Sequence, residues 1–293
     1  MAKGYVIYNP LAGNGDAEED AKLLQMVLGE NLEYYDMTRI TNYVAFLSGM
    51  EKDDYLVIVG GDGTLNRFVN DTNGIDIPQE IFYFPSGSGN DFARDIGTDG
   101  NPAVITQYLK NLPSVEVNGK CYRFINGVGF GIDGYCCQVG DELKKIPGKK
   151  VNYAAIAVKG LLIHFAARNA KVTVDRKMYA YKKVWIAPTM YGKYYGGGMI
   201  PTPKQDRSSG KLSLMLFHGA GRLRTLCVFP SSFKGKHVKH KNMLAGHTGH
   251  EITVEFDRPT PLQIDGETIL DVTKFTDSSA AGNMNKTKEK VFC

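Results

Sequence analysis

The chain has 293 residues, of which 43% are hydrophobic and 23% charged, a composition typical of a folded protein and long enough for two packed cores. Its formal net charge of +4 is too mild to predict a nucleic-acid-binding protein, although it suits contact with anionic lipid headgroups or nucleotide phosphates. The N-terminus enters a strand pattern without the apolar stretch of a signal peptide, which predicts a cytoplasmic protein.

The first part of the chain, to about Pro113, alternates short β-branched runs with helical stretches. This alternation predicts a parallel sheet covered by helices on both faces. Strands are predicted at residues 4–8, 55–59 and 81–84, and helices from Asp16 to Leu28, from about Leu65, and around Phe92. We assign residues 1–115 to this first domain. Ligands bind at the carboxyl ends of the strands in such sheets.

From about Val115 the sequence changes to segments in which apolar and polar residues alternate, a pattern typical of half-buried antiparallel strands. We expect a mainly β second domain over residues 116–270, with a helical insertion at 134–167 that is split near Pro147. Residues 151–167 are too few to span a bilayer and are predicted to form a mostly buried helix. The polar tail, residues 271–293, is predicted to be disordered or to return to the first domain.

Three strands of the first domain are each followed by a glycine-rich turn and then by a predicted helix. The turns are NPLAGNG at 9–15, GGDGT at 60–64 and PSGSGND at 85–91. Glycine lets the backbone approach a ligand closely, and a helix N-terminus offers unpaired N–H groups, so the three turns together predict one polyphosphate site. A single such turn is as often a tight connection, and neither the P-loop nor the GxGxxG spacing is present.

The order NPxxG, GGDGTLN and PxGxGNDFAR resembles the catalytic domain of the diacylglycerol kinase family, particularly its bacterial soluble lipid kinases. The resemblance continues in FINGVGFGID at 124–133, YGGGM at 195–199 and QIDGE at 263–267. It covers roughly residues 4 to 269. The combination of GGDGT, GNDFAR and a distant DGE is specific, whereas NPxxG alone would be weak, and NAD kinases share the GGDGT element.

The resemblance implies a nucleotide held between the two domains, with assignable residues for each role. Asp62 would lie at the ATP and Mg²⁺ end, Asp265 would be the general base, and Glu267 would assist with metal or water. The residues implied to bind ATP are Asn9, Gly60, Gly61, Gly63, Thr64, Gly87, Ser88, Gly89 and Asn90. Asp62, Asp265 and Glu267 are the candidate catalytic residues, Asp62 and Glu267 the candidate metal ligands, and Arg94 and Lys193 candidate charge donors.

Local sequence alone favours plainer roles for several of these residues. Asp62 and Asp265 each precede a glycine, as turn-forming aspartates do. In KGKHVKHK, at 234–241, a solvated basic face is favoured over a metal site at His237 and His240, and that face would suit an acidic membrane. Two departures from the family pattern are Arg67, where many members carry Glu, and the loop PTPKQDRSSGK at 201–211, which puts a structural magnesium site in doubt.

We therefore expect an NAD kinase/diacylglycerol kinase-like architecture, a three-layer α/β domain followed by a β-sandwich-like domain. The predicted activity is ATP- and Mg²⁺-dependent phosphorylation of a diacylglycerol-like lipid, at the inner face of the membrane and without nucleic acid. The sequence leaves homodimerisation open. The alternatives are an NAD kinase-like enzyme, a sphingoid-base kinase, or a catalytically silent sensor of lipid or nucleotide.

Overall fold

The chain divides into two compact units, Met1–Leu112 and Pro113–Cys293. The structure, a computed structural model, describes residues 2–10, 17–29, 31–87, 89–98, 100–146 and 151–282. The boundary between the units precedes the strand Ser114–Val117, whereas the boundary predicted from the sequence lies within that strand. Across the described residues, no helix combines the length and hydropathy needed to cross a bilayer.

The first unit alternates strands and helices along the chain, as the sequence predicts. Its strands are β1 Gly4–Tyr8, β2 Leu32–Asp36, β3 Tyr55–Gly60, β4 Glu80–Pro85 and β5 Ala103–Val104. Its helices are α1 Ala17–Leu28, α2 Tyr43–Ser48, α3 Asp62–Asp71, α4 Asp91–Ile96 and α5 Thr106–Leu109. The helix expected from about Leu65 begins earlier, at Asp62, because the GGDGT turn forms its first turn.

The five strands of this unit form one sheet in the order β2-β1-β3-β4-β5, with β1 to β4 parallel and β5 antiparallel to β4. On one face, Val6 and Val57 pack with Leu24 of α1 in a buried cluster. On the other face, the ring of Tyr5 lies edge-on to Phe46 of α2, with their centroids 6.0 Å apart. The predicted three-layer α/β arrangement is therefore confirmed.

The strand order places a topological switch point between β1 and β3. From β1 the chain moves to β2 on one side, and from β2 it crosses to β3 on the other. In open α/β sheets, ligands bind in the crevice that this reversal creates at the carboxyl ends of the two strands. In this unit those ends are Tyr8 and Gly60, where two of the glycine-rich turns begin.

The second unit is mainly β, with helices between β8 and β9 and between β12 and β13. Its strands are β6 Ser114–Val117, β7 Lys120–Arg123, β8 Gly127–Phe130, β9 Arg168–Val174, β10 Lys177–Val184, β11 Thr189–Met190, β12 Leu212–Phe217, β13 Leu244–Gly249, β14 Glu251–Ile264 and β15 Glu267–Ser278. Its helices are α6 Ile132–Lys144, α7 Tyr153–Lys159, continued by a π-helical turn at Gly160–His164, and α8 Arg222–Val228.

β14 and β15 form a long antiparallel hairpin that pairs with other strands of this unit on both sides. The first part of β14 pairs with β9, residues 262–264 pair with β8, and register shifts between Glu255 and Leu262 separate the two pairings. Phe130 of β8 stacks on Phe256 of β14, with ring centroids 4.0 Å apart, and meets Phe275 of β15 edge-on at 5.4 Å. The result is the expected β-sandwich-like domain.

The prediction for the tail is wrong for residues 271–278. They continue β15, which lies between β14 and β6, with Phe275–Ser278 paired to β6. Val272 and Phe275 are its buried apolar residues among polar neighbours, so the segment reads as polar although hydrogen bonds to β14 and β6 hold it in the sheet. Residues 283–293 lie outside the described part of the chain.

The prediction of a mostly buried helix at 151–167 is also wrong. Only Ile156, Gly160, Leu161 and Phe165 of this segment are buried, and the helix ends at His164. Much of its remaining apolar surface is exposed, because the segment is apolar around its whole circumference and packs along one side only. The expected split near Pro147 falls at residues 147–150, outside the described residues.

Candidate functional site

The GGDGT turn links the end of β3 to the start of α3. Gly61 is the N-cap residue of α3, and Asp62, Gly63 and Thr64 form its first turn. Thr64 is buried, and a Cβ atom on Gly60 would lie 2.4 Å from its hydroxyl oxygen. The backbone at Gly60 therefore has no room for a side chain, which gives this glycine a packing role that is independent of any ligand.

The PSGSGND turn packs directly against GGDGT. A Cβ atom on Gly87 would lie only 2.4 Å from the Cα of Gly61, so the two turns touch backbone to backbone. Asn90 closes the second turn, since its Oδ1 accepts a hydrogen bond from the N–H of Gly87 at 3.0 Å. Asn90 has a φ of 49° and Gly89 precedes it, while Ser88 lies outside the described residues.

Asp62 joins these two turns through its carboxylate. Its Oδ2 accepts the N–H of Asp91 and its Oδ1 accepts the N–H of Phe92, each at 2.9 Å. These donors are the first two N–H groups of α4, so the carboxylate satisfies groups that a helix leaves unpaired. Arg94 forms an ion pair with Asp91 at 3.2 Å within the same helix. The structure thus gives Asp62 an anchoring role, and its catalytic and metal roles remain predictions.

A cavity of about 810 Å³ lies at the carboxyl ends of β1 and β2. Its lining residues are Tyr8, Pro10, Tyr34, Tyr35, Asp36, Arg39, Ile40, Thr41, Asn42, Ala45 and Phe46. Asn9, predicted to lie near the nucleotide, falls between two lining residues at the end of β1, whereas residues 11–15 of the first turn are outside the described residues. β2 was not predicted from the sequence, although its residues LEYYD end in two tyrosines and an aspartate.

Asp265 lies in the second unit, in the two-residue turn between β14 and β15. Asp265 and Gly266 have φ values of 47° and 98°, the left-handed pair that Asp-Gly favours in tight hairpins. The carboxylate accepts backbone N–H groups from Ile125 at 2.6 Å, Asn126 at 2.8 Å and Gly127 at 2.9 Å. Asp265 is therefore both a turn former and the anchor of the segment that begins FINGVGFGID.

Arg207, in the loop that departs from the family pattern, contacts the same segment, and it was not among the predicted site residues. Its guanidinium donates to the carbonyl of Ile125 and to Oδ1 of Asn126, and it lies 4.8 Å from the ring centroid of Tyr191. The carbonyl of Asn126 in turn accepts the N–H of Tyr191 at 2.9 Å. The only sequence signal was an arginine in a loop where acids were expected.

Asp133, the last residue of FINGVGFGID, meets the YGGGM loop. The hydroxyl of Tyr195 donates to its Oδ2 at 3.2 Å. Burial raises the pKa of Asp133 to about 6, against the opposing effect of the hydrogen bonds from Gly134 and Tyr195. A Cβ atom on Gly129 would lie 1.8 Å from the same carboxylate, which explains a glycine at that position. These two motifs thus form one packed group within the second unit.

The remaining candidates lie on surfaces or in the core. Glu267 begins β15 and is exposed, and Arg67 pairs with Asp71 at 3.4 Å on the surface of α3. His237 is not part of a solvated face as the sequence suggested. It is buried, bonds the carbonyl of Pro201 at 2.8 Å, and burial lowers its pKa, because KGKHVKHK folds into 3-10 turns that point this side chain inward.

A metal site built from protein ligands alone is not found in the part of the chain that the structure describes, where no three His, Cys, Asp or Glu side chains are grouped to hold an ion. Mg²⁺ in phosphoryl-transfer sites keeps several waters and is held by one or two carboxylates together with substrate phosphates. Asp62 lies in the first unit and Glu267 in the second, and their roles as metal ligands remain predictions.

The fold and site define a class of protein with two units. A doubly wound α/β domain carries glycine-rich turns at the starts of its helices, and it precedes a β-sandwich-like domain. Residues 3–118 match the diacylglycerol kinase catalytic domain, and residues 126–278 match the YegS C-terminal NAD kinase beta sandwich-like domain. The chain belongs to the diacylglycerol kinase catalytic-domain family, and it is similar to the bacterial lipid kinases of that family. Membership of this kinase family indicates a phosphotransferase.

Individual relatives are distant but match along most of their length. The diacylglycerol kinase of Bacillus subtilis (strain 168) is 24% identical over 283 residues, which cover 91% of this chain and 90% of that protein. A crystal structure of a diacylglycerol kinase from Bacillus anthracis str. Sterne superimposes with a TM-score of 0.58 at 18% identity, covering 95% of this chain and 94% of the other. At this identity the superposition establishes the shared fold.

Proposed function

We propose that this chain is an ATP-dependent lipid kinase that transfers the γ-phosphoryl group of ATP to a hydroxyl of a diacylglycerol-like lipid. The observation that carries the proposal is the pair of glycine turns packed together at Gly61 and Gly87, beside the switch point between β1 and β3. Family membership supports the reaction class, and the name of the Bacillus subtilis relative supports the choice of acceptor.

In this proposal the nucleoside of ATP occupies the cavity at the ends of β1 and β2. Its volume of about 810 Å³ and its aromatic lining, including Tyr34, Tyr35 and Phe46, suit a planar base with an attached sugar. The phosphates would follow the backbone of residues 60–64 and 87–90, where the predicted ligands Thr64 and Asn90 lie. Asn9 would lie between the nucleoside and the phosphates.

Asp265 is the proposed general base. As the lipid oxygen forms its bond to the γ-phosphorus, the bond from that phosphorus to the bridging oxygen of ADP breaks, and the hydroxyl proton moves to the carboxylate. The three backbone N–H groups that Asp265 accepts hold the carboxylate in one orientation. Asp62 and Glu267 are the proposed contacts of Mg²⁺, which supplies charge neutralisation on the phosphates when it is bound.

The test is an acceptor assay with purified protein and γ-labelled ATP. The protein is offered a bacterial lipid extract, dioctanoylglycerol in detergent micelles, and NAD in separate reactions, and labelled products are identified by mass. We expect label in phosphatidic acid from the first two reactions, at a cytoplasmic pH. Transfer to NAD and not to lipid would establish the NAD kinase-like alternative, and ATP binding without transfer to any acceptor would establish a sensor.

A further inference from the structure

An apolar surface of the second unit is left exposed along α7 and the π-helical turn. Ile156, Leu161 and Phe165 are buried against the unit, whereas Leu162 is 40% and Ile163 68% exposed. A helix that is apolar on every side is normally surrounded by protein or lipid. Isolated exposed apolar residues are normal on protein surfaces, whereas a contiguous group of them marks an interaction surface.

Helix α8 extends the same surface. The guanidinium of Arg222 donates to the carbonyls of Leu161 and Phe165 at 3.0 and 2.8 Å, which fixes the start of α8 beside the π-helical turn. The next residue, Leu223, is 72% exposed. The chain continues from α8 into two 3-10 turns, Phe229–Lys234 and Lys236–Lys239. The first turn packs against α8, and the second packs against the first. We call this surface the α7–α8 strip, and its exposed apolar side chains are Val158, Leu162, Ile163, Leu223, Phe233 and Val238.

The segments that form the strip carry basic residues and no acidic ones, and the neighbouring Asp141 of α6 pairs with Lys144 at 3.5 Å. Asp and Glu make up 31 of the 293 residues, yet none occurs between Lys144 and Arg168 or between Arg207 and His250, the two stretches of sequence within which the strip lies. Among the described residues of these segments, the exposed Lys and Arg side chains are Lys144, Lys145, Lys159, Lys211, Arg224, Lys234, Lys236, Lys239 and Lys241. Exposed apolar side chains surrounded by Lys and Arg are typical of helices that bind at a membrane interface.

We propose that the α7–α8 strip is the membrane-docking surface of this protein, with Leu162, Ile163 and Leu223 entering the interface of an anionic bilayer. This inference rests on the proposed function, since an enzyme whose lipid acceptor is dissolved in a bilayer must dock there to reach it. A nucleic acid would match the lysines but offers little to the apolar side chains. A second copy of the strip would present like charges, which disfavours self-association through it.

The experiment measures sedimentation of the full chain with vesicles, without nucleotide. The test variant is Leu162→Gln, Ile163→Gln and Leu223→Gln together, and the matched control is Met178→Gln with Leu270→Gln. Those two residues are 83% and 50% exposed on β10 and β15. Vesicles are an equal mixture of phosphatidylcholine and phosphatidylglycerol, compared with phosphatidylcholine alone. Burial of each leucine-sized side chain corresponds to roughly tenfold in partitioning, so we expect the triple variant to bind at least about a hundredfold more weakly.

The control variant and the unchanged protein should bind the mixed vesicles equally, and both should bind phosphatidylcholine alone much more weakly because its surface carries no net charge. Equal vesicle binding by the triple variant, with melting temperature unchanged, would overturn the proposal. Binding of a duplex oligonucleotide as tight as that of the vesicles, and insensitive to the triple substitution, would overturn it in favour of a nucleic-acid surface.

A separate readout keeps this inference distinct from the proposed function. Phosphorylation of dioctanoylglycerol in detergent micelles does not require docking on a bilayer, so the triple variant should retain it at the unchanged rate. Loss of vesicle binding with this activity retained supports the strip. An absence of lipid phosphorylation in every variant, together with vesicle binding that depends on the strip, would refute the kinase and leave the docking surface standing.

Discussion

Replacement of Asp265 by Asn tests the proposed general base, and the structure predicts that it changes two measured quantities. The carboxylate accepts N–H groups from Ile125, Asn126 and Gly127. An asparagine can direct its one carbonyl oxygen to the two donors that share Oδ1, but its NH₂ group then faces the N–H of Ile125. One charge-assisted bond is lost outright, and the other two become bonds to a neutral acceptor.

The magnitude follows from these three bonds. A hydrogen bond to a charged group contributes about 1.5–3 kcal/mol and one between neutral groups about 0.5–1.5 kcal/mol. Loss of the first and weakening of the other two by about 1 kcal/mol each give a destabilisation of about 3–5 kcal/mol. For a unit of this size, each kcal/mol lowers the melting temperature by about 2–4 °C. We therefore expect a fall of about 6–20 °C, in addition to a loss of turnover.

The assay must separate these two effects. Turnover is measured well below the melting temperature of the variant, and ATP affinity is measured on the same sample. A general base contributes about 100- to 10,000-fold to turnover, with ATP affinity unchanged. The matched control is Glu267→Gln, an exposed residue two positions away, which should keep its melting temperature and show a milder loss of turnover.

Two outcomes would contradict this prediction in different ways. If Asp265→Asn is destabilised but the folded protein turns over at the unchanged rate, Asp265 is an anchor only, and Asp62 is the next residue to test as the base. If neither stability nor turnover changes, the hydrogen bonds to residues 125–127 are not formed in solution.

Three further predictions concern the cavity, the Arg207 contacts and a buried acid. Ala45→Trp should weaken ATP binding in calorimetry by at least about tenfold, or 1.4 kcal/mol, by filling the cavity, while Val44→Trp on the exposed side of α2 should not; equal affinities would place the nucleoside elsewhere. Arg207→Leu leaves the buried carbonyl of Ile125 without its guanidinium partner, so the free energy of unfolding measured with denaturant should fall by about 1–3 kcal/mol. Turnover should also fall while ATP affinity is retained, and Arg207→Lys should be intermediate. An unchanged free energy of unfolding would contradict this prediction. Burial raises the pKa of Asp277 well above its usual value, so above about pH 4 the folded state keeps a proton that the unfolded state releases, and stability falls as pH rises toward the folded-state pKa. The melting temperature of Asp277→Asn minus that of the unchanged protein should therefore increase with pH. Parallel curves of melting temperature against pH would refute a buried neutral carboxyl.

Three strands of the first unit follow from local sequence. The runs at 4–8, 55–59 and 81–84 are mostly apolar and are each followed by a glycine-rich turn, and each forms a strand of the parallel sheet. These signals are short-range, because side-chain periodicity and glycine turns act over a few residues. The family, and with it the succession of an α/β domain and a β-sandwich-like domain, also followed from motifs that can be read without a structure.

The roles of the carboxylates depended on the tertiary structure. Asp62 and Asp265 look like turn-forming residues in the sequence, and both do lie at turns, but their hydrogen-bond donors lie 29–30 and 138–140 residues away. Arg207 reaches Ile125 across 82 residues. Periodicity and turn propensity carry no information about such distant partners, because only the folded chain brings them together.

The same limit explains the errors at residues 271–278 and 151–167 of the second unit. Residues 271–278 are polar in sequence, and they form a strand because β14 and β6 pair with them on both sides. Residues 151–167 are apolar in sequence, but hydropathy measures only the preference of side chains for leaving water. Which of those side chains are covered was decided by the number of neighbours that the fold places around α7, and it places them on one side.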